Sequence, residues 1–153
     1  MIRRYQAMDQ AAVWSLHNLG LEQAGVHAGD GPWDDDLRQI ESAYLSSGGE
    51  FLVGTLHGRV VAMGALRRRS AKVAEIKRMR VHPDVQRRGY GRAVLAALER
   101  CARELGYVQL VLDTTTHQQA AIALYQGHGF VQTGQTTVAG MATLLFAKCL
   151  DPV

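Results

Sequence analysis

The segment Val81-His82-Pro83-Asp84-Val85-Gln86-Arg87-Arg88-Gly89-Tyr90-Gly91-Arg92 lies between a strand pattern and the strongest helix pattern in the chain. Its two glycines let the backbone fold tightly and approach a ligand closely. The helix that follows begins with free N–H groups and a partial positive charge, which together favour a phosphate. Three side chains add full positive charges: Arg87, Arg88 and Arg92. The segment lacks the Gly-Lys-Ser/Thr ending of a nucleotide P-loop and the third glycine of a dinucleotide fingerprint.

The apolar patterns on both sides of this segment predict a single mixed α/β domain over residues 1–153, with a largely antiparallel first half. A proline at position 83 stops the preceding strand, because proline has no N–H for a ladder. We expect strands near residues 2–7, 51–56, 60–66, 73–81, 107–112, 131–137 and 142–150. We expect helices over residues 9–25, 34–45, 91–105 and 118–128, and a loop over residues 25–32.

Several local signals fix the expected helix ends. Asp9 can cap the first helix, and the acids at 34–36 suit the positive end of the second helix dipole. In the helix over 91–105, Glu99 and Arg103 are expected to pair on the face away from the apolar stripe. Gly106 stands where a left-handed residue ends that helix.

Composition excludes several classes of protein. Of the 153 residues, 47% are apolar and 20% are charged, which is typical of a globular domain and not of a disordered chain or a coiled coil. No run of 18 apolar residues predicts a membrane span, and the first residues lack the apolar stretch of a secretory signal. Two cysteines, Cys101 and Cys149, are too few for a disulfide framework or a zinc site. The sequence therefore predicts a cytoplasmic protein without a metal.

The net charge of +3 is unevenly distributed along the chain. Residues 1–66 carry four basic against eight acidic side chains, whereas residues 67–92 carry ten basic against two acidic ones. This 26-residue stretch of net +8 favours an acidic ligand, although a solvated basic surface is the alternative.

Two signatures in this chain resemble those of the GNAT superfamily of N-acetyltransferases. Gln86-x-x-Gly89-x-Gly91 matches the Gln/Arg-x-x-Gly-x-Gly/Ala signature, and residues 75–83 look like the family's fourth strand. Residues 120–130 look like its second signature, which ends Ala-x-x-Leu-Tyr-x-x-x-Gly-Phe. Both occur in the family's order, and the succession of strands and helices is similar from end to end.

The resemblance implies the GNAT fold, a central mixed and mostly antiparallel sheet of about seven strands with about four helices. It also implies acetyl-CoA as co-substrate, bound by a core over about residues 50–130. The amides of residues 87–92 would hold the pyrophosphate, and the main chain of residues 79–81 would pair with the pantetheine arm where two strands separate. The implied cofactor-binding residues are Met79, Arg80, Val81, Gln86, Arg87, Arg88, Gly89, Tyr90, Gly91, Arg92, Gln118 and Tyr125.

Three of these positions depart from the family pattern. Arg87 stands where many members have glycine, Tyr90 replaces an aliphatic residue, and Gln118 stands where many members have a cofactor-binding asparagine. Glutamine can still donate and accept hydrogen bonds, so the contact at 118 remains expected.

The resemblance places the Tyr125 phenol against the sulfur of the leaving thiolate. A thiol has a pKa of about 8.5 and a phenol about 10, so we expect a strong hydrogen bond and not full proton donation. A core tyrosine is the alternative reading. Glu75 is the first candidate for the base, acting through water, with an ion pair to a neighbouring cation as the equal alternative. Asp113 is the second candidate base, and the Val81 N–H is the expected donor to the thioester oxygen.

The predicted function is direct transfer of an acetyl group to the primary amine of a small cationic molecule or peptide. The acids at 34–36 would attract such an amine, or would serve only the helix start. The alternatives are an acetyl-CoA sensor without turnover and a nucleic-acid-binding domain that uses the basic stretch. Neither a nucleic acid nor a membrane is expected as partner, and the final strands are plausible edges for a homodimer.

Overall fold

A seven-stranded mixed sheet runs through the residues that the computed structural model describes, 1–24 and 32–151. Its strands are β1 (Ile2–Arg4), β2 (Glu50–Leu56), β3 (Arg59–Arg68), β4 (Val73–Val81), β5 (Gln109–Thr115), β6 (Val131–Val138) and β7 (Met141–Cys149). The α-helices are α1 (Gln10–Ala24), α2 (Asp35–Arg38), α3 (Tyr90–Glu104) and α4 (Gln119–Gly127). None of these helices has the length and apolar character needed to cross a membrane. The expected fold class is confirmed.

The strands lie in the order β1-β2-β3-β4-β5-β7-β6. Neighbouring strands are antiparallel except for β4 and β5, which are parallel and are connected through α3. The order of strands and helices along the chain is the expected one, and the predicted bounds of β4 are confirmed at both ends.

Two expectations near the amino terminus are wrong. β1 ends at Arg4, three residues earlier than expected, and a short 3₁₀ turn over Ala7–Asp9 leads into α1. Asp9 does not cap α1, because its carboxylate accepts from the Gln6 N–H and pairs with Arg3. Those partners tie it to the segment before the helix. The expected loop over 25–32 lies outside the described residues except for its last position.

The second helix is shorter than the helical spacing indicates. α2 covers four residues, and Gln39 then leaves the helical region with φ −136° and ψ 50°. The chain continues as one wider turn over Glu41–Leu45, in which the Ser46 N–H bonds to the Glu41 carbonyl five residues back. The apolar residues of this segment still reach the core, since Leu37 and Tyr44 are fully buried.

Helices cover both faces of the sheet, and the sheet separates the core into two layers. Residues on neighbouring positions of β2 point to opposite faces, so Leu52 packs with α3 and α4 while Phe51 packs with α1 and Tyr44. α3 lies directly on the sheet at Gly64, where a Cβ atom would come within 2.7 Å of Val94.

The expected ion pair on α3, between Glu99 and Arg103, is present, but its surroundings are not the expected ones. Arg103 does bind Glu99, with 3.0 Å between Nη1 and Oε2, but Glu99 is buried instead of facing solvent. The reason is a tertiary contact, because Lys148 of β7 places its ammonium 2.5 Å from Glu99 Oε1. Gly106 has φ +91° and ends the helix as expected.

The parallel strands β4 and β5 pair over only three residues each. The last pair is Glu75 with Val111, after which β4 continues to Val81 and β5 to Thr115. A bulge bends β4 past this point: between the pairs Ala65–Lys77 and Met63–Arg80 it has one residue more than β3. The two strands therefore separate, and we call the opening between Val81 and Thr115 the strand gap.

Arg78 lies in the bulge with its backbone in the left-handed region, at φ +59°. Its guanidinium binds the Asp36 carboxylate from two nitrogens, Nε at 2.9 Å and Nη2 at 2.6 Å. Nη2 also donates to the Trp33 carbonyl at 2.8 Å. This ion pair connects the bulge to the segment that begins α2, 42 residues earlier in the chain.

Replacing Arg78 with methionine should lower the free energy of unfolding by about 3–5 kcal/mol, because the Asp36 carboxylate, whose side chain is only 11% exposed, would lose its counter-charge. Urea denaturation of the two proteins measures the difference. Arg59→Met, at the exposed first residue of β3, is the matched control and should change stability by no more than about 0.5 kcal/mol. Equal losses in both variants would contradict the anchoring role of Arg78.

Candidate active site

The edge of β4 that faces the strand gap carries main-chain groups that no neighbouring strand uses. The His82 N–H bonds to the Val61 carbonyl on β3 at 2.7 Å. Since successive main-chain groups alternate sides along a strand, the N–H and C=O of Val81 and Met79 point into the gap, and those of Arg80 point to β3. The Val81 carbonyl accepts from Gln86 Nε2 at 3.3 Å, and the Met79 carbonyl accepts from Arg80 Nη1 at 2.9 Å.

The segment after β4 returns the chain to the start of α3 through a short 3₁₀ turn over Pro83–Val85. The Asp84 N–H donates to His82 Nδ1 at 3.1 Å and closes this turn. Arg87 and Gly89 both have a left-handed backbone, at φ +65° and +87°. Glycine adopts that conformation at little cost, and an arginine does not, so the departure at position 87 places local strain in the loop.

α3 begins with main-chain donors that have no partner within the helix. The Ala93 N–H bonds to the Gly89 carbonyl at 3.0 Å, which leaves the N–H groups of residues 90–92 for another acceptor. Gly91 lies where α3 meets α4 and β4, since a Cβ atom on it would be 3.3 Å from Leu124 and 3.6 Å from Val81. The donors therefore lie directly beyond the end of the strand gap.

The basic stretch 67–92, from which an acidic ligand was expected, does not form one surface. Arg87 and Arg88 are exposed on the loop and Arg92 is exposed in the first turn of α3, whereas the arginines at 67–69 lie at the opposite end of β4. Nine residues of strand separate the two groups by about 30 Å. Arg78 lies in an internal ion pair between them. Only the loop arginines can act together with the donors of α3.

Tyr125 is buried beside the strand gap, with 6% of its surface exposed. Its ring packs edge-on against Phe130, with 5.9 Å between the centroids. Burial raises the pKa of Tyr125 to about 12, the charge of Arg80 on β4 lowers it, and that of Asp113 on β5 raises it. Charges on both strands of the gap therefore shift the pKa of the phenol. The phenol is neutral at physiological pH.

The remaining predicted cofactor residues lie around the same opening. Gln118 immediately precedes α4, and its N–H bonds to the Thr115 carbonyl at the end of β5 while its side chain does not cap the helix. Tyr90 is half-buried beside a surface cavity of about 330 Å³ that reaches the first strand. That cavity has no lining residue from β5 or α4, so it lies outside the gap.

Glu75 lies at the closed end of the gap, in the last pair between β4 and β5. Glu75 is buried, with 6% of its surface exposed, and Arg69 Nε lies 3.0 Å from Oε1. The ion pair with a neighbouring cation, which was the alternative to a catalytic role for Glu75, is therefore present. Asp113, the second candidate, is exposed on β5. No three His, Cys, Asp or Glu residues in the described ranges lie close enough to hold a metal ion.

A buried polar cluster next to the gap was not expected from the sequence. The neutral His17 ring donates from Nε2 to Asp34 Oδ1 at 2.9 Å, and both side chains are almost fully buried. Burial lowers the pKa of His17, and the charges of Arg80 and Arg78 lower it further. The sequence offers one indirect signal for this cluster, because Arg78 and Arg80 belong to the basic stretch that favours an acidic partner.

The acids at 34–36 have partners within the chain. Asp34 binds His17, Asp36 binds Arg78 and Tyr44, and the exposed Asp35 pairs with Arg38 at 2.8 Å. Arg78 and its neighbours lower the pKa of Asp36 against the opposing effect of burial. These carboxylates stabilise the packing of the 32–38 segment on the sheet.

Solved structures of other proteins share this arrangement of strands and helices. An acetyltransferase from Streptococcus agalactiae superposes with a TM-score of 0.89, at 22% identity over 98% of both chains. The yncA acetyltransferase from Salmonella typhimurium, solved with its cofactor acetyl-CoA, has a TM-score of 0.83 at 24% identity, over 100% of this chain and 95% of its own. At these identities the likeness shows the fold.

Curated proteins give closer matches in sequence. Human N-acetyltransferase 8 is 36% identical over 117 residues, which cover 72% of this chain and 51% of the human protein. The IAA acetyltransferase of Azospirillum brasilense is 38% identical over 85 residues, 55% of this chain and 56% of its own. The chain spans about half the length of the curated relatives it matches.

The sequence model of the acetyltransferase (GNAT) family matches residues 13–130. That match covers more than half of the chain and includes the loop, the strand gap and Tyr125, so the chain belongs to the GNAT acetyltransferase family.

Proposed function

We propose that this protein transfers the acetyl group of acetyl-CoA directly to the primary amine of a small molecule or peptide. The observation that carries the proposal is the unpaired edge of β4 in the strand gap, which leads to the free N–H groups at the start of α3. An extended chain of amides can add to an open strand edge through main-chain hydrogen bonds. A pyrophosphate suits a helix start with free donors. Pantetheine and pyrophosphate are joined in this order in CoA.

The cofactor contacts follow from this placement. The N–H groups of residues 87–92, with the three exposed arginines, are proposed to hold the pyrophosphate. The Met79 and Val81 main chains are proposed to pair with the pantetheine amides, and Gln86 holds the Val81 carbonyl in place. The free side-chain amide of Gln118 is available for a further hydrogen bond to the arm.

The chemical step needs a donor on each side of the breaking C–S bond. The Val81 N–H, which points into the gap, is proposed to stabilise the oxygen of the thioester as the amine attacks the carbonyl carbon. The neutral Tyr125 phenol is proposed to donate a hydrogen bond to the sulfur as the thiolate leaves. Because the pKa of Tyr125 is about 12 and that of a thiol about 8.5, the phenol keeps its proton. The proton that the amine releases as the amide forms reaches the thiolate through water, so that CoA leaves as the free thiol.

Glu75 is proposed to accept the proton from the attacking amine, through a water molecule. An alkyl ammonium has a pKa of about 10.4, so the amine must lose its proton before it can attack. The ion pair with Arg69 competes with this role, and Asp113 remains the second candidate because it is exposed on the other strand of the gap.

The acceptor, the cellular location and the assembly remain proposals. A cationic acceptor was expected because of the acids at 34–36, but Asp34 and Asp36 are already paired, so the primary amine is the part that the site supports. A cytoplasmic location and a homodimer stay predictions, the latter through the exposed edge strand β6. The division of the basic stretch by β4 weakens the nucleic-acid alternative.

Thiol release from acetyl-CoA tests the proposed activity. The purified protein should release CoA thiol in the presence of at least one member of a panel of amino acids, polyamines, aminoglycosides and peptides with free amino termini. Binding of acetyl-CoA by calorimetry without release on any of these amines would favour the sensor alternative. Stronger, salt-sensitive binding to DNA than to acetyl-CoA would favour the nucleic-acid alternative.

Replacing Gly91 with proline should weaken acetyl-CoA binding at least about tenfold, because it removes one charge-assisted donor from the start of α3. The first turn of a helix tolerates proline, so the domain should stay folded. Gly91→Ala is the matched control, since it adds the Cβ atom that faces Leu124 but keeps the N–H. Calorimetry should separate the two variants, and equal affinities would show that this N–H does not bind the cofactor.

Replacing Tyr125 with phenylalanine should lower kcat by about 10²–10³ while the KM for acetyl-CoA changes little, because the hydroxyl acts on charge that develops in the transition state. The measurement is steady-state kinetics between pH 6 and 9, where the wild-type phenol stays protonated. A variant with wild-type kcat throughout this range would make Tyr125 a packing residue.

A further inference from the structure

Arg80 carries a partly buried positive charge that pairs with no carboxylate among the described residues. Its Nη1 donates to the Met79 carbonyl, and no carboxylate in residues 1–24 or 32–151 forms an ion pair with it. Its Nε is buried and has no hydrogen-bond partner there. Gly20 makes room for this arrangement, because a Cβ atom on α1 at that position would lie 2.6 Å from Arg80 Cδ.

The nearest acids are already occupied. Asp36 accepts two hydrogen bonds from Arg78, and Asp34 accepts one from His17 and lies 3.5 Å from Arg78. Burial lowers the pKa of Arg80 and the like charge of Arg78 lowers it further, whereas the charge of Asp34 raises it but does not reverse the shift. A guanidinium in this position is more stable with an anion beside it.

The guanidinium lies at the strand gap. The Met79 carbonyl, to which it donates, points into the gap, and its charge acts on the Tyr125 phenol. The side chain reaches this point from the face covered by α1, opposite the α3 face that holds the phosphate-binding loop. Two further buried atoms without partners border the same region: His17 Nδ1 and Asp34 Oδ2. The region can therefore take a polar group from outside the described chain.

We propose that Arg80 binds a carboxylate of the acceptor, so that the acceptor is an amino acid or a related molecule whose amine lies close to a carboxylate. The proposal rests on the proposed acetyl transfer and names the substrate class for it. A guanidinium presents parallel N–H donors that match the two oxygens of a carboxylate. With the carboxylate on Arg80, the neighbouring amine would lie at the gap, near the Val81 N–H and the Tyr125 phenol.

Matched acceptors test the proposal directly. Each amino acid that releases thiol should be compared with its own α-carboxamide, which keeps the amine and side chain but removes the negative charge. The wild-type protein should favour the acid. In Arg80→Gln, the KM for the acid should rise about 10- to 100-fold, while the KM for acetyl-CoA should change less than about twofold, because the main chain along the gap is kept.

Two further variants make the result specific. Arg80→Lys keeps the charge but loses the paired donors, so its KM for the acid should lie between those of the wild type and Arg80→Gln. Arg100→Gln removes an exposed arginine on α3 and should leave every constant unchanged. Thermal unfolding should show that Arg80→Gln is folded, since no described carboxylate loses its ion-pair partner in it.

The proposal would be overturned if the wild type acetylated the acids and their amides equally well, or if Arg80→Gln raised the KM of both equally. The buried atoms without partners would then be assigned to water. Turnover on amines that lack a carboxylate, without turnover on amino acids, would overturn the proposal and leave the proposed activity intact. If no amine releases thiol, the proposed activity fails. Calorimetric titration of the amino acids and their amides into the wild type and Arg80→Gln then tests the carboxylate site by itself. Binding of the acids but not the amides, lost in Arg80→Gln, would support the site. Any other pattern would overturn it.

Discussion

The ion pair between Arg78 and Asp36 fixes the geometry on which the rest of the site depends. Arg78 has a left-handed backbone in a bulge, a conformation that costs about 1–2 kcal/mol for a residue other than glycine. Its guanidinium offsets that cost by binding a carboxylate from a segment 42 residues away. The bulge bends β4 away from β5, and the helical segment that carries Asp36 is held against the same strand. One interaction therefore opens the strand gap and secures one of its walls.

An unpaired strand edge inside a sheet is normally unfavourable, because its N–H and C=O groups are left without partners. Here the open edge is short, and side chains of the same chain occupy its carbonyls: Gln86 at Val81 and Arg80 at Met79. The N–H groups remain for a ligand. In this way β4 supplies a row of donors that continues into the first turn of α3, with glycine at position 91 where the two meet.

The position of each basic residue, more than their number, determines what the charge can do. The ten basic residues of 67–92 fall into an outer group of four around the β3–β4 turn, an inner group of three on β4, and a third group of three in the loop before α3 and in its first turn. Arg78 of the inner group is paired with Asp36 and serves the fold, whereas Arg80, two residues later, has no ion-pair partner among the described residues. Alternate positions of a strand share a face, so both lie on the same face of the sheet, where Arg78 serves the fold and Arg80 is available to a ligand.

The sequence by itself determined the parts of this protein that depend on local signals. Proline at 83, the glycines at 89 and 91 and the apolar period of 91–105 act within a few residues, so the loop, the start of α3 and the ends of β4 could be predicted, and the two signatures indicated the family. Tertiary structure alone decided the bulge at Arg78, the burial of Glu99 beside Lys148, the pairing of His17 with Asp34, and the lack of an ion-pair partner for Arg80 within residues 1–24 and 32–151. The first three depend on contacts between residues 17 or more positions apart. The partner of a charged side chain at such a distance is set by how the layers pack, which the local pattern of the sequence does not record.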